Sequence, residues 1–83
     1  MADSIRAERV QLFPNPATEG NFTISGIEGI KQIAIYDLLG KKVTEFKDMN
    51  QSEINIQMNA LKGIYLVTLS DGTQTIHRKI TVN

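Results

Sequence analysis

From Val10 onward apolar and polar residues alternate in short runs, and a turn-forming residue closes each run. Residues 9–13 read as a first strand, ended by Pro14-Asn15-Pro16 as a stiff turn. Each proline there fixes its own φ and holds the preceding residue, Phe13 or Asn15, extended. Residues 21–25 give a second strand, with Phe22 and Ile24 on one face and Thr23 on the other. Residues 31–36 give a third, with Ile33 and Ile35 inward, and Asp37-Leu38-Leu39-Gly40-Lys41 turns the chain into a fourth at 42–46. Gly40 stands where that hairpin needs positive φ. Residues 53–58 alternate most cleanly, with Ile54, Ile56 and Met58 toward a core and Glu53, Asn55 and Gln57 toward water. Residues 63–70, opened by Gly63 and carrying Tyr65, are apolar on both faces and predict a central strand covered on both sides. Asp71-Gly72 predicts a two-residue hairpin into a last strand at 73–82. No window keeps a helical period over three turns, and only 59–62 have room for one helical turn.

About seven short strands at this spacing predict an all-β fold, a small antiparallel β-sandwich of immunoglobulin-like size. The chain has neither Cys nor Trp, so the immunoglobulin disulfide and its packed tryptophan are both missing. Its 83 residues make one small domain. We place that domain at residues 10–83 and read residues 1–9 as a polar leader or linker, either native or placed ahead of a fragment.

Composition narrows the function. Nine basic and nine acidic residues balance, and no basic cluster exceeds Lys41-Lys42, so a nucleic-acid-binding face is not supported. No apolar run approaches membrane-spanning length. With no cysteine there is no thiolate metal site. His77 is the only histidine, and alternation puts it beside Thr75, Lys79 and Thr81, a solvent-facing strand position with no second metal ligand at strand spacing. Asp37, Asp48, Glu53 and Asp71 read as turn formers or solvated charges rather than as paired acid–base groups. Ser25, Ser52 and Ser70 lack a nucleophile elbow, and no glycine-rich loop resembles a phosphate cradle. We expect no catalytic residue, no cofactor and no metal.

Four segments in order resemble the C-terminal sorting domain of type IX secretion cargo: Phe13-Pro14-Asn15-Pro16 followed by Gly20; Tyr36-Asp37-Leu38-Leu39-Gly40-Lys41 followed by Val43; Leu61-Lys62-Gly63-Ile64-Tyr65-Leu66-Val67; and Arg78-Lys79-Ile80-Thr81-Val82. Phe13 stands where the family often has Tyr, and Asn83 ends the chain where many members end on a basic residue. The resemblance covers the chain from about Val10 onward.

The resemblance implies a non-catalytic address for attached cargo. Such cargo passes through the periplasm to the outer-membrane translocon. A sortase-like peptidase then removes the domain, and the cargo is released or joined to the cell surface. The implied partners are the translocon, the peptidase and an N-terminal cargo domain. On the residues themselves, Arg78, Lys79, Ile80 and Val82 are the recognition candidates: a last strand at a sheet edge offers backbone groups for strand addition, and its basic pair orients a partner. The alternative is a structural or carbohydrate- or protein-binding β-sandwich module of a surface protein.

Overall fold

The computed structural model describes residues 7–59 and 62–83. After a short 3₁₀ turn at Ala7–Arg9 come seven strands: β1 (Gln11–Thr18), β2 (Asn21–Ser25), β3 (Gln32–Tyr36), β4 (Lys42–Phe46), β5 (Glu53–Gln57), β6 (Gly63–Ser70) and β7 (Thr75–Val82). They form one mixed sheet in the order β4-β3-β6-β7-β1-β2-β5, curled into a half-barrel. The all-β, seven-stranded expectation holds. Every adjacent pair is antiparallel except β1 and β7, which run parallel and meet at Ala17 and Val82.

The curl follows from alternation. Ile24 and Phe22 on β2, Ile56 on β5, Ile33 and Ile35 on β3, Tyr65, Val67 and Leu69 on β6, and Ile80 and Val82 on β7 are buried in one cluster. Side chains from both wings of the sheet can share a core only if the wings face each other. Each fully buried isoleucine contributes roughly 1.5–3 kcal/mol from the apolar surface it removes from water. Ile27 and Ile30, in the loop between β2 and β3, close the cluster at one end.

The sheet bends at β1. Its first residues pair with β2, from Gln11 with Ser25 to Phe13 with Thr23, and the register then breaks before Thr18. At Ala17 the strand has joined β7. Pro14 and Pro16 occupy the crossing, and both of their preceding peptide bonds are cis. A proline has no N–H to donate, so it fits where the chain has left one ladder and not yet entered the next. The Pro-Asn-Pro segment is therefore not the turn that ends the first strand; it lies within β1, where the strand changes wings.

Three further expectations are corrected. β7 is not an edge strand, because β1 lies beyond it; the edges are β4 and β5. β6 is central but covered on one face only, with Ile64 43% exposed on the other. The β6–β7 hairpin is centred on Gly72-Thr73 rather than Asp71-Gly72, since Ser70 pairs with Thr75 and Asp71 N–H donates to Gln74 O. The helical turn expected at 59–62, and Leu61 of the third resemblance segment, lie outside the described residues.

Candidate functional site

Three of the four segments that carry the resemblance converge on the second half of β7. Asn15 supplies the first contact. Its side-chain Oδ1 accepts from Thr81 N–H at 3.2 Å and its Nδ2 lies 3.5 Å from Lys79 O. Between two prolines the backbone is a poor ladder partner, and the carboxamide, with one acceptor and donors on one short arm, stands in for it. Two residues later the backbone takes over, with Asn83 N–H donating to Ala17 O at 3.3 Å. From the other side β6 pairs along the whole of β7, setting Gly63 opposite Val82 and Tyr65 opposite Ile80. Ile80, Val82 and Tyr65 are buried core residues.

Arg78 and Lys79 part company. Alternation aims Arg78 to the inner side, opposite buried Val67, and its guanidinium explains how a charge can be there. It donates to Ala7 O at 2.7 Å and to its own neighbour's carbonyl, His77 O, at 3.3 Å. The 3₁₀ turn ahead of β1 is thereby tied to β7 across 71 residues. Lys79 is exposed on the outer face, opposite Leu66, in the same row as His77 and Thr81. Among the described residues it has no ion-pair partner.

The second segment, which does not reach β7, forms the β3–β4 turn. Asp37 N–H donates to Lys41 O, Gly40 N–H donates to Asp37 O, and Asp37 Oδ1 accepts from the N–H groups of Leu39 and Lys41, both at 2.9 Å. Gly40 has φ +85°, the left-handed value that the pattern required. Because Tyr36 pairs with Leu66, this turn stands at the end of the sheet where β6 begins and β7 ends. Phe13, the remaining residue of the first segment, is 46% exposed rather than part of the core.

Sequence reasoning missed what the turn displays. Leu38 and Leu39 are 73% and 95% exposed. The signal was in plain view: two leucines fill hairpin positions where short polar residues are usual.

Elsewhere the chemistry is sparse. A shallow depression of about 370 Å³ is lined by Glu19, Asn21, Gln57, Met58 and Asn59, and Glu19 is its single ionisable group. No group of three His, Cys, Asp or Glu residues is placed to hold a metal among the described residues. Glu45 accepts from Lys42 at 2.9 Å and from Gln32 at 2.9 Å. The Lys42 ammonium, chiefly, holds the Glu45 carboxyl below its ordinary range, and Lys42 is raised in return. Lys42 is exposed and Glu45 half-buried at the edge of the sheet, so this is a surface pair of small consequence.

Residues 11–83 match the family described as the secretion system C-terminal sorting domain. No curated protein matches the chain.

Proposed function

The chain belongs to the C-terminal sorting domain family of the type IX secretion system, and from that premise we propose that it is a non-catalytic address recognised at the outer-membrane translocon. The family's role is that of a sorting signal, which implies contact with the type IX machinery and export to the cell surface or beyond. In our reading, cargo attached upstream is carried through the periplasm. A sortase-like peptidase then removes the domain, and the cargo is released or fixed to the surface. Any catalysis belongs to that cargo.

The observation that carries this reading is the match over residues 11–83, which takes in all four segments. The convergence of three of them supports it: Asn15, Gly63 and Tyr65 all meet β7, so these segments act together to present one strand in one register. Lys79 is the recognition candidate on that strand. Arg78 is committed to Ala7, and Ile80 and Val82 to the core, so these three hold the strand in place.

The test is export of a reporter that carries an ordinary export signal in front and residues 1–83 behind, in a host with this secretion system. The reporter should appear outside the cell, and should stay in the periplasm when the domain is omitted. Equal amounts outside in both cases would reject the address.

A further inference from the structure

Leu38 and Leu39 stand at the tip of the β3–β4 turn, and no contact among the described residues accounts for them. The turn is closed by Asp37 and permitted by Gly40, neither of which needs a leucine beside it. Nor are the leucines isolated. On the outer face just below the tip, half-buried Tyr36 lies across the ladder from half-buried Leu66. Ile64, 43% exposed, follows two positions along β6 toward the same end, so the apolar surface continues from the tip down one side of the sheet.

The side-chain charges left without a partner around this surface are basic. Lys41 follows the turn, Lys62 precedes β6, and Lys79 faces Leu66 from β7. All three are exposed, and none has an ion pair among the described residues. The carboxylate at this end, Asp37, is turned inward on the N–H groups of Leu39 and Lys41. Glu45, on β4, is held by Lys42 and Lys47. A chain with no net charge thus keeps one end locally basic around an apolar patch.

We propose that this surface docks onto a protein partner whose binding site is an apolar pocket flanked by carboxylates. The pocket receives Leu38 and Leu39, and the carboxylates meet Lys41, Lys62 and Lys79. The proposal rests on the sorting-domain reading and names the face through which the domain is recognised. A protein fits better than a bilayer because the apolar residues run on from the tip along a sheet face. Lysines stand beside them both at the tip and lower down, whereas a bilayer would take the tip alone.

The experiment uses the same reporter fused to residues 1–83, comparing the parent with L38S/L39S and with Lys41→Glu/Lys79→Glu, while the purified chains are followed by thermal unfolding. Both variants should melt close to the parent, because the changed side chains are exposed. Export of the leucine variant should fall about tenfold or more, as loss of anchor residues at an interface does. Charge reversal should lower export as well, by slowing encounter. Should the double leucine variant melt early, Leu39→Lys changes only the most exposed residue and serves in its place.

Normal export of both variants beside an exported parent overturns the docking surface and leaves the sorting reading standing. A parent that is not exported overturns the sorting reading, and this inference with it. Sedimentation of the purified parent, but not of L38S/L39S, with phosphatidylglycerol–phosphatidylcholine vesicles assigns the surface to a bilayer instead. A parent dimer that L38S/L39S dissolves assigns it to a second copy. Either result overturns the protein partner.

Discussion

The β3–β4 and β6–β7 turns are built by the same device and display opposite surfaces. In each, an aspartate at the start of the turn gathers two backbone N–H groups onto one carboxylate oxygen: Leu39 and Lys41 onto Asp37, Thr73 and Gln74 onto Asp71. In each, a glycine takes a left-handed φ, +85° at Gly40 and +97° at Gly72. Yet one turn carries Leu38 and Leu39, and the other carries Gly72 and Thr73 with exposed polar surroundings. The polar turn shows that the geometry has no use for leucines. Turn closure is therefore one matter and turn display another, and only display separates the two ends of the sheet.

If that division is right, the closing residues should be interchangeable in their effects. Gly40→Val and Gly72→Val should give the largest losses, each about 1–3 kcal/mol for a β-branched residue forced to positive φ. Thermal unfolding reads this directly, at roughly 4–8 °C per kcal/mol for a domain of this size. A large loss at one glycine and none at the other would end the equivalence. The display residues should behave in the opposite way. L38S/L39S should cost less than about 0.5 kcal/mol of stability while removing export, so that function and folding come apart at a single turn.

A smaller effect is expected of acid at the β6–β7 turn. The N–H groups of Gln74 and Thr73 hold the Asp71 carboxyl below its ordinary value of 3.8. Because the folded-state pKa is the lower one, the contribution of ionised Asp71 is complete above the unfolded pKa. It is lost as pH falls through the folded value. Asp71→Asn should therefore flatten the fall in urea midpoint between about pH 5 and pH 2, and an unchanged acid limb would show that the carboxylate contributes nothing there. The smallest effect is expected from Lys42→Ala, which opens a surface pair beside the β3–β4 turn. Its shift in melting temperature should vanish at about 1 M salt, where surface charges are screened.

Strands bounded on both sides by turn-forming residues were legible from the sequence. β2, β4 and β6 begin and end where alternation and turn residues placed them, at Asn21–Ser25, Lys42–Phe46 and Gly63–Ser70. β1 was not, because a proline read locally is a break. Only the three-dimensional sheet reveals that Pro14 and Pro16 lie between two ladders. The outer face of β6 misled for a related reason. Ile64 and Leu66 look like core when burial is assumed for every apolar residue, but nothing in a single chain's sequence states what covers a sheet from outside. The role of Asn15 was legible only as a motif. That its carboxamide would complete the edge of a strand 64 and 66 residues away depends on which strands become neighbours, and local pattern does not carry that.

The place of β7 in the strand order has a consequence for timing. A chain that emerges amino end first, from a ribosome or through a pore, delivers β1 to β6 before the strand that joins the two wings. Until residues 75–82 arrive, β6 has one flank open, Asn15 has no strand to complete, and the cluster lacks Ile80 and Val82. Pairings this distant are slow to form, since their loop-closure entropy is met before their contacts are made. The two wings are therefore joined late, and the completed sheet is displayed only by a chain whose strand β7 has come through.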